Sequence, residues 1–453
     1  MTGQSEISVA IRHRPRAWLN GSYAIADYVS LPLSLLLTVP FLLRHMGAAQ
    51  FGVWVLASAA VNSGNTACSG FGDAAVKYVA MYRGRNDAAG IVCVIRGMLA
   101  INLALSGLFA IALWSLAPLA AARVTQLDPG LRVIALNSFR IGSLLLLVRS
   151  VDGVFVSTLR AFERYGPAVR ITMCSRIAAL VAAIALVARG RGVVEVMLAT
   201  LAIAVLAAVA QALAVRAIAG RILLLPSLHR DTLSKIVSYG SFSWLQAVSS
   251  AVFSQADRLV IGIILGAPAV AGYALCAQAA QTIHGVVAAG FHALFPHLSS
   301  RLETESLTEL RGTVWTAFKT NLLLTLLLGA PFILLGRPIL SLWIGREFAR
   351  QEWPILSILS CGFVLFALNV TAHYALLAVG KVRVVTYLNL ISGAVMLAIM
   401  LLLTPKFGMM GTASARLVCG PITCLLYIPL YRLLHAESKK RLKFPIISAW
   451  ENS

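Results

Sequence analysis

Residues 193–216 read VVEVMLATLAIAVLAAVAQALAVR, an apolar run with one acidic residue near its start and one arginine at its end. As a helix rising 1.5 Å per residue it spans about 36 Å, enough to cross a hydrocarbon core of about 30 Å. Runs of this kind recur along the whole chain. They predict an all-α polytopic membrane protein with helices over roughly 19–43, 51–72, 90–118, 133–157, 168–188, 193–216, 239–263, 268–295, 314–336, 353–378, 384–404 and 409–431. Twelve crossings place both termini on one side.

Composition agrees. The 453 residues are 59% hydrophobic and only 12% charged, about half the charged share of a soluble domain, so most of the surface is expected to face lipid. The net charge of +21 reads as a topology signal and an affinity for anionic headgroups rather than for nucleic acid, because the basic residues fall in short loops and no nucleic-acid-binding motif accompanies them. Segments on the N-terminal side of the membrane hold 24 Lys and Arg against 10 on the opposite face, which predicts cytoplasmic N- and C-termini. Residues 1–16 carry no short apolar core with a cleavage site, so the first long apolar stretch reads as a retained helix. Cys68, Cys93, Cys174, Cys276, Cys361, Cys419 and Cys424 lie singly in apolar stretches, and neither a disulfide framework, a metal site nor a cofactor is expected.

The chain also repeats itself. Gly47-Ala48-Ala49-Gln50-Phe51-Gly52, followed by VWVLASAA and by Gly70-Phe71, corresponds to residues 266–272, followed by YALCAQAA and by Gly290-Phe291. Arg164 and Arg189 correspond to Lys381 and Lys406 at a common offset of 217. Six helices separate the copies, which predicts a parallel repeat about an axis along the membrane normal. The expected organisation is a cytoplasmic segment 1–18, an N-lobe 19–216, a cytoplasmic linker 217–238 containing Pro226, a C-lobe 239–432 and a cytoplasmic tail 433–453.

The block from Ser241-Phe242 through SQADRLVIGIILGAPAVAGYALCAQ (254–278) to Phe295-Pro296-His297-Leu298-Ser299 resembles the second-half signature of a known family. It is that of the polysaccharide-transport branch of the multidrug/oligosaccharidyl-lipid/polysaccharide (MOP) exporter superfamily. LRHMGAAQFGVW (43–54) and GFGDAAVKYVAMYRGRND (70–87) resemble its first half. The resemblance implies a MATE-like, two-lobed fold in the bacterial inner membrane. Its central cavity would alternate between cytoplasmic and periplasmic openings. It implies a Wzx-type flippase moving a polyprenyl-diphosphate-linked oligosaccharide, with membrane lipids and a polysaccharide polymerase as partners. A cation-coupled MATE-type drug exporter is the alternative.

Charges inside the apolar stretches are costly and need a partner or a watery cavity. Arg140, Arg176, Arg416 and Arg258 are the candidates for binding a diphosphate, because a guanidinium donates two parallel charge-assisted hydrogen bonds to phosphate oxygens. Arg149 and Asp152, at i and i+3, read as a structural ion pair, and Arg140, nine residues from Arg149, points to the opposite side of the helix. Arg258 reads equally as a residue snorkelling to the outer headgroups. Asp27 and Asp257 are the coupling or gating candidates, and Asp27 resembles the helix-one aspartates of ion-coupled MATE exporters. His284, His292 and His373 read as interior residues without metal-ligand spacing. No catalytic constellation is present, so an enzyme is not expected.

Overall fold

The computed structural model describes residues 17–435 apart from 86, 126–127, 163, 220–225, 228–229, 292–293, 295–297 and 299–306. Among the described residues the chain is helical throughout, without strands. The helices are α1 (Ala17–Ser69), α2 (Gly72–Gly84), α3 (Ala88–Thr125), α4 (Pro129–Ala161), α5 (Tyr165–Ala188), α6 (Val193–Ala219), α7 (Arg230–Leu265), α8 (Ala267–Phe291), α9 (Leu307–Leu334), α10 (Gly336–Trp343), α11 (Arg346–Ala367), α12 (Val370–Ala378), α13 (Val382–Arg416), α14 (Cys419–Cys424) and α15 (Tyr427–His435).

Lipid is the solvent that these helices fit. Helix α6 combines a mean hydropathy of 2.5 with only 17% burial of its most apolar window, and α5 repeats the pattern. Faces so apolar and so open are stable against acyl chains and unstable against water. Among the described residues, seven helical stretches are long and apolar enough to cross a membrane, and Trp244–Ala251 with Ser254–Leu265 completes an eighth across a 45° bend. One of the seven, Val382–His435, has 54 residues, about 80 Å of helix and more than twice a crossing. Gly408, at φ 60 and ψ −143, divides it, as Gly47, at φ 77 and ψ 160, divides α1. The expected loops 44–50 and 405–408 are therefore largely helix, each broken at a single glycine.

Backbone geometry carries the repeat. Positive φ occurs at Gly47 and at Gly266, its counterpart, and again at Gly190 and Gly408 at nearly the same offset. Only glycine adopts these angles without strain. Arg164 and Lys381 occupy the same N-cap position of α5 and α13, with φ/ψ of −93/58 and −84/41.

Contacts divide the chain into two compact units, Met1–Ala274 and Leu275–Ser453. The first unit takes in α7 and the start of α8, because α7 packs along α1, α2 and α3. In the first unit that packing is a seam of small residues. A Cβ on Gly52 would stand 1.8 Å from the Ala267 carbonyl oxygen, one on Gly262 would meet Leu56, and one on Gly70 would lie 2.5 Å from the Trp244 Cα. Such close backbone approach is how helices associate where lipid competes for every apolar contact.

In the second unit the break between α11 and α12 frees carbonyls that no water can satisfy at membrane depth. The Asn321 amide donates to the carbonyls of Ala367 (3.2 Å) and Leu368 (3.3 Å) and to Thr371 Oγ1 (3.0 Å), and the Tyr427 hydroxyl donates to Leu368 (2.7 Å). Replacing Asn321 by Leu leaves these acceptors short of a donor, at a cost on the order of 1–3 kcal/mol. The thermal midpoint of the purified protein should fall by several degrees, whereas an unchanged midpoint would mean that the break is satisfied by other means.

Candidate substrate-binding site

Two groups of cationic side chains on apolar helices stand out, one in each unit, half-buried in the first and buried in the second. In the first, Asn62 projects from α1, Arg149 and Asp152 from α4 and Arg176 from α5. Pro129 at the first helical position and Asp128, whose carboxylate accepts from Gly130 N (2.9 Å) and Leu131 N (3.2 Å), fix the start of α4. Tight α1–α4 packing follows from glycine, since a Cβ on Gly64 would collide with Leu146 and one on Gly142 would press on Val61.

The expected Arg149–Asp152 ion pair does not close. Arg149 Nη1 donates instead to Asn62 Oδ1 at 3.2 Å, 87 residues away in sequence, and Asp152 Oδ1 is buried with no hydrogen-bond partner. Sequence spacing placed the two on adjacent turns, but tertiary packing offered the guanidinium a neutral acceptor on α1. Arg149 also lies within electrostatic reach of both Arg176 and Asp152. Two guanidiniums, one from α4 and one from α5, thus come near each other within apolar helices. Like charges held there repel strongly, and an anion would relieve the repulsion.

In the second unit Arg416, only 7% exposed, places its guanidinium 4.9 Å from the centre of the Phe363 ring. A Cβ on Gly362 would lie 3.5 Å from the Arg416 backbone, so α11 and α13 meet closely here. His284 stacks on Phe366 at 4.4 Å and lies within electrostatic reach of His373 and Arg416. This group offers a cation, two imidazoles and aromatic faces from α8, α11, α12 and α13.

The remaining sequence candidates lie elsewhere. Arg140 sits over Trp114 of α3, 5.1 Å from the ring centre, on the α4 stripe that also exposes Val133 and Leu144. It points away from Arg149, as the nine-residue spacing requires. Arg258 does not snorkel outward. It is 8% exposed and turns back along α7 to the Ser254 carbonyl (3.2 Å) and Gln255 Oε1 (2.8 Å). The reason is that the nearest acceptors lie on the preceding turn. Asp257, fully buried, accepts from Arg258 N (2.8 Å) and from the Tyr273 hydroxyl (3.1 Å), which ties α7 to α8 beside Gly266. Asp27 lies on α1, and both its side chain and His292 fall outside the described residues. Sequence reading missed Asn62 as a partner and the convergence of Arg149 with Arg176. The polar run Asn62-Ser63-Gly64-Asn65 inside an apolar helix was the available signal.

This architecture is shared with solved transporters. An inward-facing multidrug resistance MATE family transporter of the MOP superfamily superposes with a TM-score of 0.68 at 16% identity, over 92% of this chain and 98% of that one. The lipid II flippase MurJ in an inward closed conformation gives 0.70 at 14% identity, over 94% and 95%. The fold is therefore that of a multi-pass membrane protein of the MATE-like MOP type. Residues 21–301 match the model of the family described as polysaccharide biosynthesis protein, and the chain belongs to that family. A Shigella flexneri protein named "Putative O-antigen transporter" is 26% identical over 186 residues, 40% of this chain. That match covers 43% of the Shigella protein, less than half its length.

Proposed function

We propose that this protein flips a polyprenyl-diphosphate-linked oligosaccharide from the cytoplasmic to the periplasmic leaflet of a bacterial inner membrane during surface polysaccharide synthesis. The observation that carries the reading is the pair Arg149 and Arg176, which approach each other from two apolar helices, α4 and α5. A lipid diphosphate carries negative charge in the form that guanidinium forks bind best. The family match and the Shigella relative support a glycan as cargo. A cationic drug would be repelled by the same pair.

In this reading the twelve expected crossings form two lobes that rock about residues 217–238 while both termini stay cytoplasmic. The diphosphate meets the arginines, the glycan occupies the wet lumen and the polyprenyl tail remains in lipid. Arg416 with its histidine and aromatic neighbours is the second station, and Asp27 and Asp257 are the coupling or gating groups. Deleting the gene should cause lipid-linked glycan to accumulate in the inner leaflet while ethidium efflux stays unchanged. Normal glycan distribution with lost efflux would instead make the protein a drug exporter.

A further inference from the structure

Ten cations are expected on the face opposite the termini, and three of them, Arg337, Arg346 and Arg350, fall within fourteen residues. That clustering runs against the charge bias that sets topology, so it needs another cause. Helix α10 and the start of α11 give it a shape. Gly345, at φ 145 and ψ 163, reverses the chain between the two helices, a backbone state available to glycine and scarcely to other residues. The reversal brings Arg346 and Ala349 back over α10, and with Arg337, Pro338 and Ser341 they line a cavity of about 300 Å³.

The charges around this cavity are uneven. Glu347 is engaged by Arg350 (3.2 Å) and Gln351 (2.8 Å). Arg337 and Arg346, both exposed, make no hydrogen bond or ion pair among the described residues. Beside them α10 presents apolar bulk outward, with Leu342 90% exposed and Leu334, at the end of α9, 78% exposed. A short helix with Leu342 outward, Arg337 in its first turn and Arg346 at the start of the next helix fits the plane between acyl chains and headgroups.

We infer that this shelf binds the phosphate of a membrane-anchored lipid, with Arg337 and Arg346 as its cationic jaws, Ser341 as a hydroxyl donor and Leu342 against the acyl chains. A free anion would have no use for the leucines. Two lipids carry the required chemistry: a bulk anionic phospholipid and the polyprenyl diphosphate carrier itself. Assignment to the outer leaflet rests on the orientation proposed above, but the binding does not, so it can be tested without any transport assay.

The full chain is purified into phosphatidylcholine nanodiscs containing a minority of phosphatidylglycerol, and retained lipid is counted by native mass spectrometry. Arg337→Gln with Arg346→Gln should lower phosphatidylglycerol retention roughly tenfold for each arginine lost, the effect of a charge-assisted hydrogen bond to a lipid phosphate and not of surface charge alone. Arg123→Gln with Arg132→Gln, exposed on the same expected face, should leave it unchanged and serves as the folding and charge control. Polyprenyl diphosphate that displaces phosphatidylglycerol at a small mole fraction identifies the carrier as the ligand, and failure to displace it identifies the phospholipid. Equal retention in the wild type and the Arg337/Arg346 variant overturns the assignment. So does an equal loss in the Arg123/Arg132 control, or displacement by soluble pyrophosphate as effective as displacement by lipid.

Discussion

Replacing Arg149 and Arg176 together by Gln should reduce glycan transport at least a hundredfold while the protein remains in the membrane. Each guanidinium–phosphate contact contributes roughly 1.5–3 kcal/mol as a charged hydrogen bond, and two such losses reach that factor. The change also leaves Asp152 without its neighbouring cation Arg149, so a loss of fold must be separated from a loss of binding. A second variant, Arg149→Gln with Asp152→Asn, removes one charge of each sign and keeps Arg176. It should retain the wild-type thermal midpoint and lose transport by about one order of magnitude, the share of a single charged contact. Measured inner-leaflet accumulation of lipid-linked glycan separates the cases. Transport at the wild-type rate in both variants would remove this pair from the substrate path.

The second large effect is expected at Gly52. A Cβ there would lie 1.8 Å from the Ala267 carbonyl oxygen and 2.5 Å from the Ala267 carbonyl carbon. Both contacts are backbone, so no rotamer change relieves them, and Gly52→Val must part α1 from the start of α8. The partners sit beside Gly47 and Gly266, the two reversals that the repeat relates. Gly52→Val should therefore stop transport and raise the labelling of an Ala267→Cys reporter by a membrane-impermeant maleimide several-fold. The reporter alone, and the reporter with Val53→Ala, should label slowly. An unchanged labelling rate would mean that the seam yields elsewhere and Ala267 stays covered.

Much of the fold was legible because hydropathy and glycine spacing are local signals. The apolar stretches became helix over most of their described residues, and the repeat read from Gly47 and Gly266 reappeared as paired positive-φ turns. The breaks after Ala367 and Arg416 were not legible. No proline or glycine stands at Leu368, Asn369, Leu417 or Val418, and the first break is held by Asn321 and Tyr427 from distant helices. Helix α10 was hidden for a different reason, since Gly336-Arg337-Pro338 reads as the end of the apolar run of α9 and the eight residues up to Trp343 are too short to read as a span. At the candidate site, residue types were readable and partnerships were not. An Arg149–Asp152 pair satisfied every sequence rule, yet the guanidinium found Asn62 across the helix interface, and Arg176 arrived beside it from α5. Arg140 shares the chemistry of Arg149 and differs only in its direction round the helix. That direction places it on Trp114 instead of in the cluster.

The most direct test reconstitutes the purified protein into liposomes with a fluorescent polyprenyl-diphosphate-linked oligosaccharide in both leaflets. Glycan exposed on the outside is then quenched or enzymatically trimmed. The wild type should make nearly all of the glycan accessible within the assay, whereas empty liposomes and the Arg149/Arg176 variant stop at the outer-leaflet half. Accessibility stopping at that half with active, monodisperse wild-type protein would contradict the central claim that this chain carries lipid-linked glycan across the bilayer.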